Sequence, residues 1–176
     1  MAISPDTKNW TWVLERACPD CGFDSSSFPR GQVSQLLRDN AMQWQDILTG
    51  DSVTARPSPE VWSPLEYACH VRDVFRIFAE RLNLMVTTDN PQFANWDQDQ
   101  TAVEDRYSEQ DPAAVSADLT ANAETLASAF EAVSGDQWRR TGDRSDGSHF
   151  TVESFARYLV HDPVHHVFDV TGVKSW

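Results

Sequence analysis

Tyr158-Leu-Val-His161-Asp-Pro-Val-His165-His166-Val-Phe168 is the stretch whose reading decides this chain, because three of its five histidines fall within six residues here. His161 and His165 are four apart. On a helix of 3.6 residues per turn their side chains project about 40° apart, one turn above the other, so two imidazoles reach one ion. His166 lies about 140° round from His161 and is the poorer partner on an ideal helix. Pro163 sits between the pair. Inside a helix it removes a backbone hydrogen bond and clashes with the carbonyl of Leu159, at a cost of about 3 kcal/mol. A bend is expected there; if Pro163 instead divides two helices, His166 becomes a competitor for the site.

A second histidine-bearing segment precedes it. Ser63-Pro64-Leu65-Glu66 reads as a capping box with proline at the first helical position, and the helix it opens is expected to run to about Thr87. One face of that helix carries Tyr67, His70, Val71, Val74, Ile77, Phe78, Arg81 and Met85. His70 therefore points into a mostly apolar stripe and is a third candidate ligand, although such a histidine is also an ordinary hydrogen-bonded core residue. Imidazole suits zinc, nickel, iron or copper. Three protein ligands with a position left open is the pattern of a reactive metal site rather than a structural one. The expected centre is a divalent metal, zinc or nickel, on His70, His161 and His165. His161-Asp162-Pro-Val-His165 approaches the H-E-x-x-H signature of zinc peptidases, but Asp replaces the Glu base and a proline interrupts it. Asp162 and Asp169 read as surface charges or as partners for the ring N–H groups.

The remaining helices follow from apolar spacing. Val33, Leu36, Leu37, Asn40, Trp44, Ile47 and Leu48 mark a helix over about Pro29 to Thr49, stopped by Gly50. Asp111-Pro112 opens a third long helix, with Val115, Leu119, Ala123, Leu126, Phe130 and Val133 as its buried face and Gly135 closing it. The fourth begins near Thr151. With no alternating strand runs, the fold class expected is all-α, a four-helix bundle. Residues 88–110 read as a long loop of the kind that shapes a site, with Trp96 packing it down and Asp97 near the pocket. Residues 136–150 read as irregular. Arg144 in that segment is a candidate for an acidic group on a substrate, the alternative being that its arginines neutralise an acidic surface.

Residues 1–28 read as an N-terminal extension with one short helical candidate around Trp10 to Arg16, ahead of a bundle over 29–176. The extension carries Cys18-Pro-Asp-Cys21-Gly22, which resembles one knuckle of a zinc ribbon. One knuckle supplies two thiolates where a structural zinc wants four ligands, and no second C-x-x-C exists. A shared site across a dimer, a redox pair, or free thiols in a turn are all open to Cys18 and Cys21.

Composition bounds the partners. A net charge of −13 without any Lys/Arg run disfavours nucleic acid and anionic membrane surfaces. No apolar run approaches the roughly 18 residues of a membrane span. The N-terminus lacks the basic start and apolar stretch of a signal peptide, and three cysteines do not make a disulfide framework, so a cytoplasmic location is expected. A small-molecule substrate and a homodimer are the expected partners.

Trp62-Ser-Pro-Leu-Glu-Tyr-Ala-Cys-His70-Val together with Tyr158-Leu-Val-His161-Asp-Pro-Val-His165-His166 resembles the DinB-like superfamily, which includes bacillithiol-transferase-like proteins and mycothiol-dependent maleylpyruvate isomerases. The resemblance implies a four-helix bundle over roughly residues 29–170 and a divalent metal on one histidine of the second helix and two of the last. Those are His70, eight residues after Trp62, and His161 with His165. It also implies a low-molecular-weight thiol such as mycothiol as co-substrate. The function expected is a thiol-using transferase or isomerase, or a hydrolase, with no catalytic residue assigned. The alternatives are a non-catalytic metal-binding or stress-related protein, and a helical interaction protein whose histidines are satisfied in its core.

Overall fold

The computed structural model describes residues 9–174 and 176. Five α-helices carry it: α1 (Val33–Ile47), α2 (Pro64–Thr87), α3 (Gln98–Glu104), α4 (Pro112–Ala132) and α5 (Val152–Thr171). The four long ones pack in the ring order α1–α4–α2–α5, so that α4 and α5 each lie between α1 and α2. This is an all-α bundle in which the α1-to-α2 and α4-to-α5 connections cross the ring, while α2 and α4 are neighbours.

Each long helix forms for local reasons and is held by one buried stripe. In α1, Val33, Leu37, Ala41 and Trp44 recur every three or four residues and are fully buried. Ser34 Oγ donates to the Ala127 carbonyl of α4 at 2.9 Å, and Arg38 spans Glu124 and Glu131 across the same seam. The α4 helix starts where Asp111 accepts from the Ala114 N–H at 2.8 Å, with Pro112 in its first turn. The α5 helix starts at a Thr151–Ser154 box and ends on Gly172, whose φ of 68° is the left-handed conformation glycine adopts most readily. It runs unbroken through Pro163.

The α2 start is a full capping box. Ser63 Oγ accepts from the Glu66 N–H at 3.2 Å, and the Glu66 carboxylate accepts from the Ser63 N–H at 2.8 Å. Glu66 is buried, and burial alone would raise its pKa. The Arg56 guanidinium and the Ser63 N–H outweigh that and hold it below the usual range.

Two expectations are corrected. The segments read as loop contain structure: α3 lies within 88–110, and a three-stranded sheet joins β1 (Gln92–Phe93), β2 (Thr141–Arg144) and β3 (His149–Thr151) in the order β1-β2-β3. β1 pairs parallel with β2, and β2 antiparallel with β3. Strands of two to four residues are too short to show alternation. α3 buries no residue and so shows no apolar stripe. The short helix expected around Trp10 to Arg16 is present as a 3₁₀ helix over Trp10–Leu14, started by Asn9 Oδ1 accepting from the Thr11 N–H. Among the described residues no helix is long and apolar enough to cross a membrane.

The sheet positions the site. A Cβ at Gly142 would stand 2.9 Å from Met85 and from Phe93, so only glycine lets β2 lie this close to α2. β3 then runs directly into α5 and fixes its entry beside Phe78, Phe93 and Phe150, which pack on Phe155.

Ser63→Ala removes one half of the α2 box. It should lower the unfolding free energy by about 1 kcal/mol, read from urea titration with an unchanged m-value.

Candidate metal centre

α5 carries two doublets, His161-Asp162 and His165-His166, four residues apart. Adjacent helical residues project about 100° apart, so each doublet sends one side chain to each of two neighbouring faces. His161 and His165 face the N-terminal segment. Asp162 and His166 face α2. His70, His161 and His165, grouped in the sequence as one set, are thus divided between two clusters of ligand-type atoms, each cluster with its atoms within 4.8 Å of one another.

The first cluster is Cys18, Cys21, His161 and His165, all buried. Cys18 Sγ lies 3.6 Å from His165 Nδ1, and Cys21 Sγ lies 3.8 Å from His161 Nε2. The two imidazole centroids are 5.0 Å apart with the rings tilted at 34°, the proximity that a spacing of four produces. Trp10 covers both rings at 5.4 Å. Burial pushes the Cys21 thiol up to about 12, with the neighbouring Cys18 adding to it. Burial, with His165 alongside, pushes His161 down to about 4. Both shifts have one first cause, burial, which disfavours the charged form of either group.

The second cluster is His70, Asp162 and His166. His70 Nε2 stands 3.3 Å from both carboxylate oxygens of Asp162, beyond a charge-assisted hydrogen bond. His166 Nε2 is 3.8 Å from Asp162 Oδ2. His70 and His166 meet edge to face at 4.9 Å, and His70 stacks on Trp96 at 5.3 Å and 5°. Burial alone would raise the Asp162 pKa; the imidazoles of His70 and His166 hold it far below the usual carboxylate range. His70 Nδ1 and Asp162 Oδ1 are buried without a hydrogen-bond partner.

Asp169 backs both clusters. Its Oδ2 is 2.9 Å from His166 Nδ1, and its Oδ1 is 3.5 Å from His165 Nε2. With Nδ1–H donating to Asp169, His166 keeps its Nε2 lone pair toward Asp162, the arrangement that fixes a metal-ligating tautomer.

A cavity of about 370 Å³ opens over these groups, lined among others by Trp96, Asp97, Arg81, Arg144, Tyr158, Asp162 and His166. Arg144 donates to Asp146 and to the Tyr158 hydroxyl. Arg81 is buried, donates to the Ala94 carbonyl, and pairs with no carboxylate among the described residues. Burial, and then the Arg144 charge, push its pKa down to about 10. A larger cleft of about 660 Å³ between residues 22–29 and α1 contains none of the clustered ligands.

The sequence profile of the DinB superfamily matches residues 35–168. The chain belongs to the DinB superfamily. Two solved structures are similar to it. YfiT from Bacillus subtilis, described as a probable metal-dependent hydrolase with an unusual four-helix bundle topology, has a TM-score of 0.73 at 18% identity, covering 81% of this chain and 84% of its own. The mycothiol-dependent maleylpyruvate isomerase has a TM-score of 0.63 at 13% identity, over 84% of this chain and 62% of its own. No curated protein sequence matches the chain. The DinB span contains His70, Asp162 and His166, whereas Cys18 and Cys21 lie ahead of it.

Sequence reasoning did not assign Asp162 and His166 as ligands, nor give the two cysteines their partners. The repeated doublet was the available signal.

His161 sets an acid limit on the metal-free chain. Its folded pKa, about 4, is depressed from 6.5, so the unfolded chain binds more protons between those values. The stability it contributes is complete above about pH 6.5 and lost as pH falls toward about 4. Chelator-treated protein should lose up to about 3 kcal/mol across that interval, read by urea unfolding at stepped pH. His161→Asn should flatten the slope.

Proposed function

We propose that the chain is a metal-dependent enzyme whose centre is held by His70, Asp162 and His166, and which uses a low-molecular-weight thiol such as mycothiol on a small acidic substrate, the thiol staying on the product in a transferase reaction and being released again in an isomerase one. The observation that carries this is the Asp162 carboxylate, set between two imidazoles at 3.3 and 3.8 Å with an unpartnered buried oxygen, at the wall of a cavity. The donor set fits a divalent ion. Two oxygen or nitrogen ligands at about 2.0–2.1 Å from a tetrahedral zinc stand roughly 3.3 Å apart. Three protein ligands leave at least one position for a substrate or thiol, and imidazole with carboxylate suits zinc or nickel. A divalent ion held there supplies Lewis-acid charge that lowers the pKa of a thiol or water beside it.

The chain's own residues do the rest. Asp169 holds the His166 ring in the ligating tautomer. Trp96, stacked on His70, shields the centre from bulk water and brings the segment that carries Asp97 to the cavity wall. Arg81 and Arg144 place positive charge at the far side of the same cavity. Arg144 is already satisfied by Asp146, while Arg81 forms no ion pair with a carboxylate among the described residues. An acidic group on the substrate would pair with it. Tyr158, hydrogen-bonded to Arg144, offers a hydroxyl to the same ligand.

His161 and His165 also line the cavity, so a centre on His70, His161 and His165 is the competing set. Asp162 and His166 are favoured because His161 Nε2 and His165 Nδ1 already face thiols.

His70→Ala, Asp162→Asn and His166→Ala should each cost one bound metal per chain, or at least about 100-fold in metal affinity, in untagged protein. Turnover on a panel of electrophiles with mycothiol should fall in parallel while the far-ultraviolet circular dichroism of the folded helices is retained. Metal content and turnover that survive all three substitutions would overturn the proposal.

A further inference from the structure

We propose that Cys18, Cys21, His161 and His165 form a second, structural zinc site that fastens the N-terminal segment to α5. The site rests on the reading that leaves His161 and His165 out of the His70 centre. It rests on four observations.

The first is the donor set. Two cysteines and two histidines are a closed zinc complement, with no position left for a substrate. The second is distance. Zinc–sulfur bonds of about 2.3 Å and zinc–nitrogen bonds of about 2.0 Å at a tetrahedral angle set sulfur and nitrogen roughly 3.5 Å apart. The two sulfur–nitrogen pairs stand at 3.6 and 3.8 Å. The third is the turn. The Gly22 N–H donates to the Cys18 carbonyl at 2.9 Å, the Cys18 N–H donates to the Phe23 carbonyl at 2.9 Å, and Gly22 takes a φ of 83°. This folds the C-x-x-C back on itself so that both sulfurs point the same way, as a zinc knuckle requires. The fourth is enclosure. All four residues are at most 9% exposed, and Trp10 lies across both imidazoles.

The sequence offered one knuckle and no second one. The missing half is helical: a pair of histidines four apart on α5, about 140 residues downstream, replaces the second C-x-x-C. Such a site contributes by tying chain ends together. It binds the folded chain and not the unfolded one, so the binding free energy adds to stability. It also has a consequence for the cavity, since Asn9 and Trp10 reach its rim only because this segment is fastened down.

The test is cobalt substitution of the full-length, untagged protein. Thiolate ligation of cobalt gives a ligand-to-metal charge-transfer absorption in the near ultraviolet that imidazole and carboxylate ligation does not. Wild type and His70→Ala should both show it, and the Cys18→Ser/Cys21→Ser double variant should lose it along with one of two zinc equivalents. His70→Ala loaded with zinc provides a second measurement that does not depend on folding of the double variant. Its X-ray absorption fine structure should show two sulfur and two nitrogen ligands at about 2.3 and 2.0 Å. Absence of the band in wild type, its persistence in the double variant, a zinc shell without sulfur in His70→Ala, or a Cys18–Cys21 disulfide in protein purified under reducing conditions would each overturn the proposal. Loss of turnover in His70→Ala with the thiolate band intact would leave this site standing while bearing only on the other.

Discussion

Adjacent side chains on an α-helix diverge by about 100°, and residues four apart realign. α5 uses both facts at once. His161 and His165 form one pair of ligand-type side chains, Asp162 and His166 the other, and the two pairs share one helix and one backing carboxylate, Asp169. The fold supplies what each pair needs on the opposite side. α2 brings His70 to one face, and the Cys18–Cys21 turn comes to the other. Everything else in the bundle serves to hold the rotation of α5 about its own axis. A rotation of about 100° would carry one pair onto the other's face and turn the second pair away from its partners.

Several constraints fix that rotation. At its start, the β2–β3 hairpin feeds α5 from a sheet that is pressed against α2 at Gly142. In its middle, Phe155 is wedged among Phe78, Phe93 and Phe150. Further on, the Pro163 carbonyl accepts from Asn40 Nδ2 at 2.9 Å, which ties the helix to α1 at the level of the clusters. Pro163 itself does not end the helix. Its position between the doublets leaves their spacing of four intact.

Much of the fold was legible because the helix ends are chemically marked. Ser63-Pro64-Leu65-Glu66, Asp111-Pro112 and Thr151 stand where α2, α4 and α5 begin. The short sheet and α3 were not legible. The strands have two to four residues, and α3 buries nothing, so neither shows a period. The candidate site was legible by composition but not by phase. A cluster H-D-x-x-H-H contains two pairs with a spacing of four, and the sequence does not say which of them turns toward α2. That is decided by packing between helices far apart in the chain. The partners of Cys18 and Cys21 were hidden for the same reason, since nothing local to a turn announces imidazoles at the other end of the molecule.

The most direct measurement is a crystal of the metal-loaded, untagged protein with diffraction collected on either side of the zinc absorption edge. Two anomalous peaks per chain are expected. One should lie among the sulfurs of Cys18 and Cys21 and the rings of His161 and His165, the other among His70, Asp162 and His166. A single peak ligated jointly by His70, His161 and His165 would contradict the account, because it would mean that α5 turns one ligand pair, and not two, toward metal.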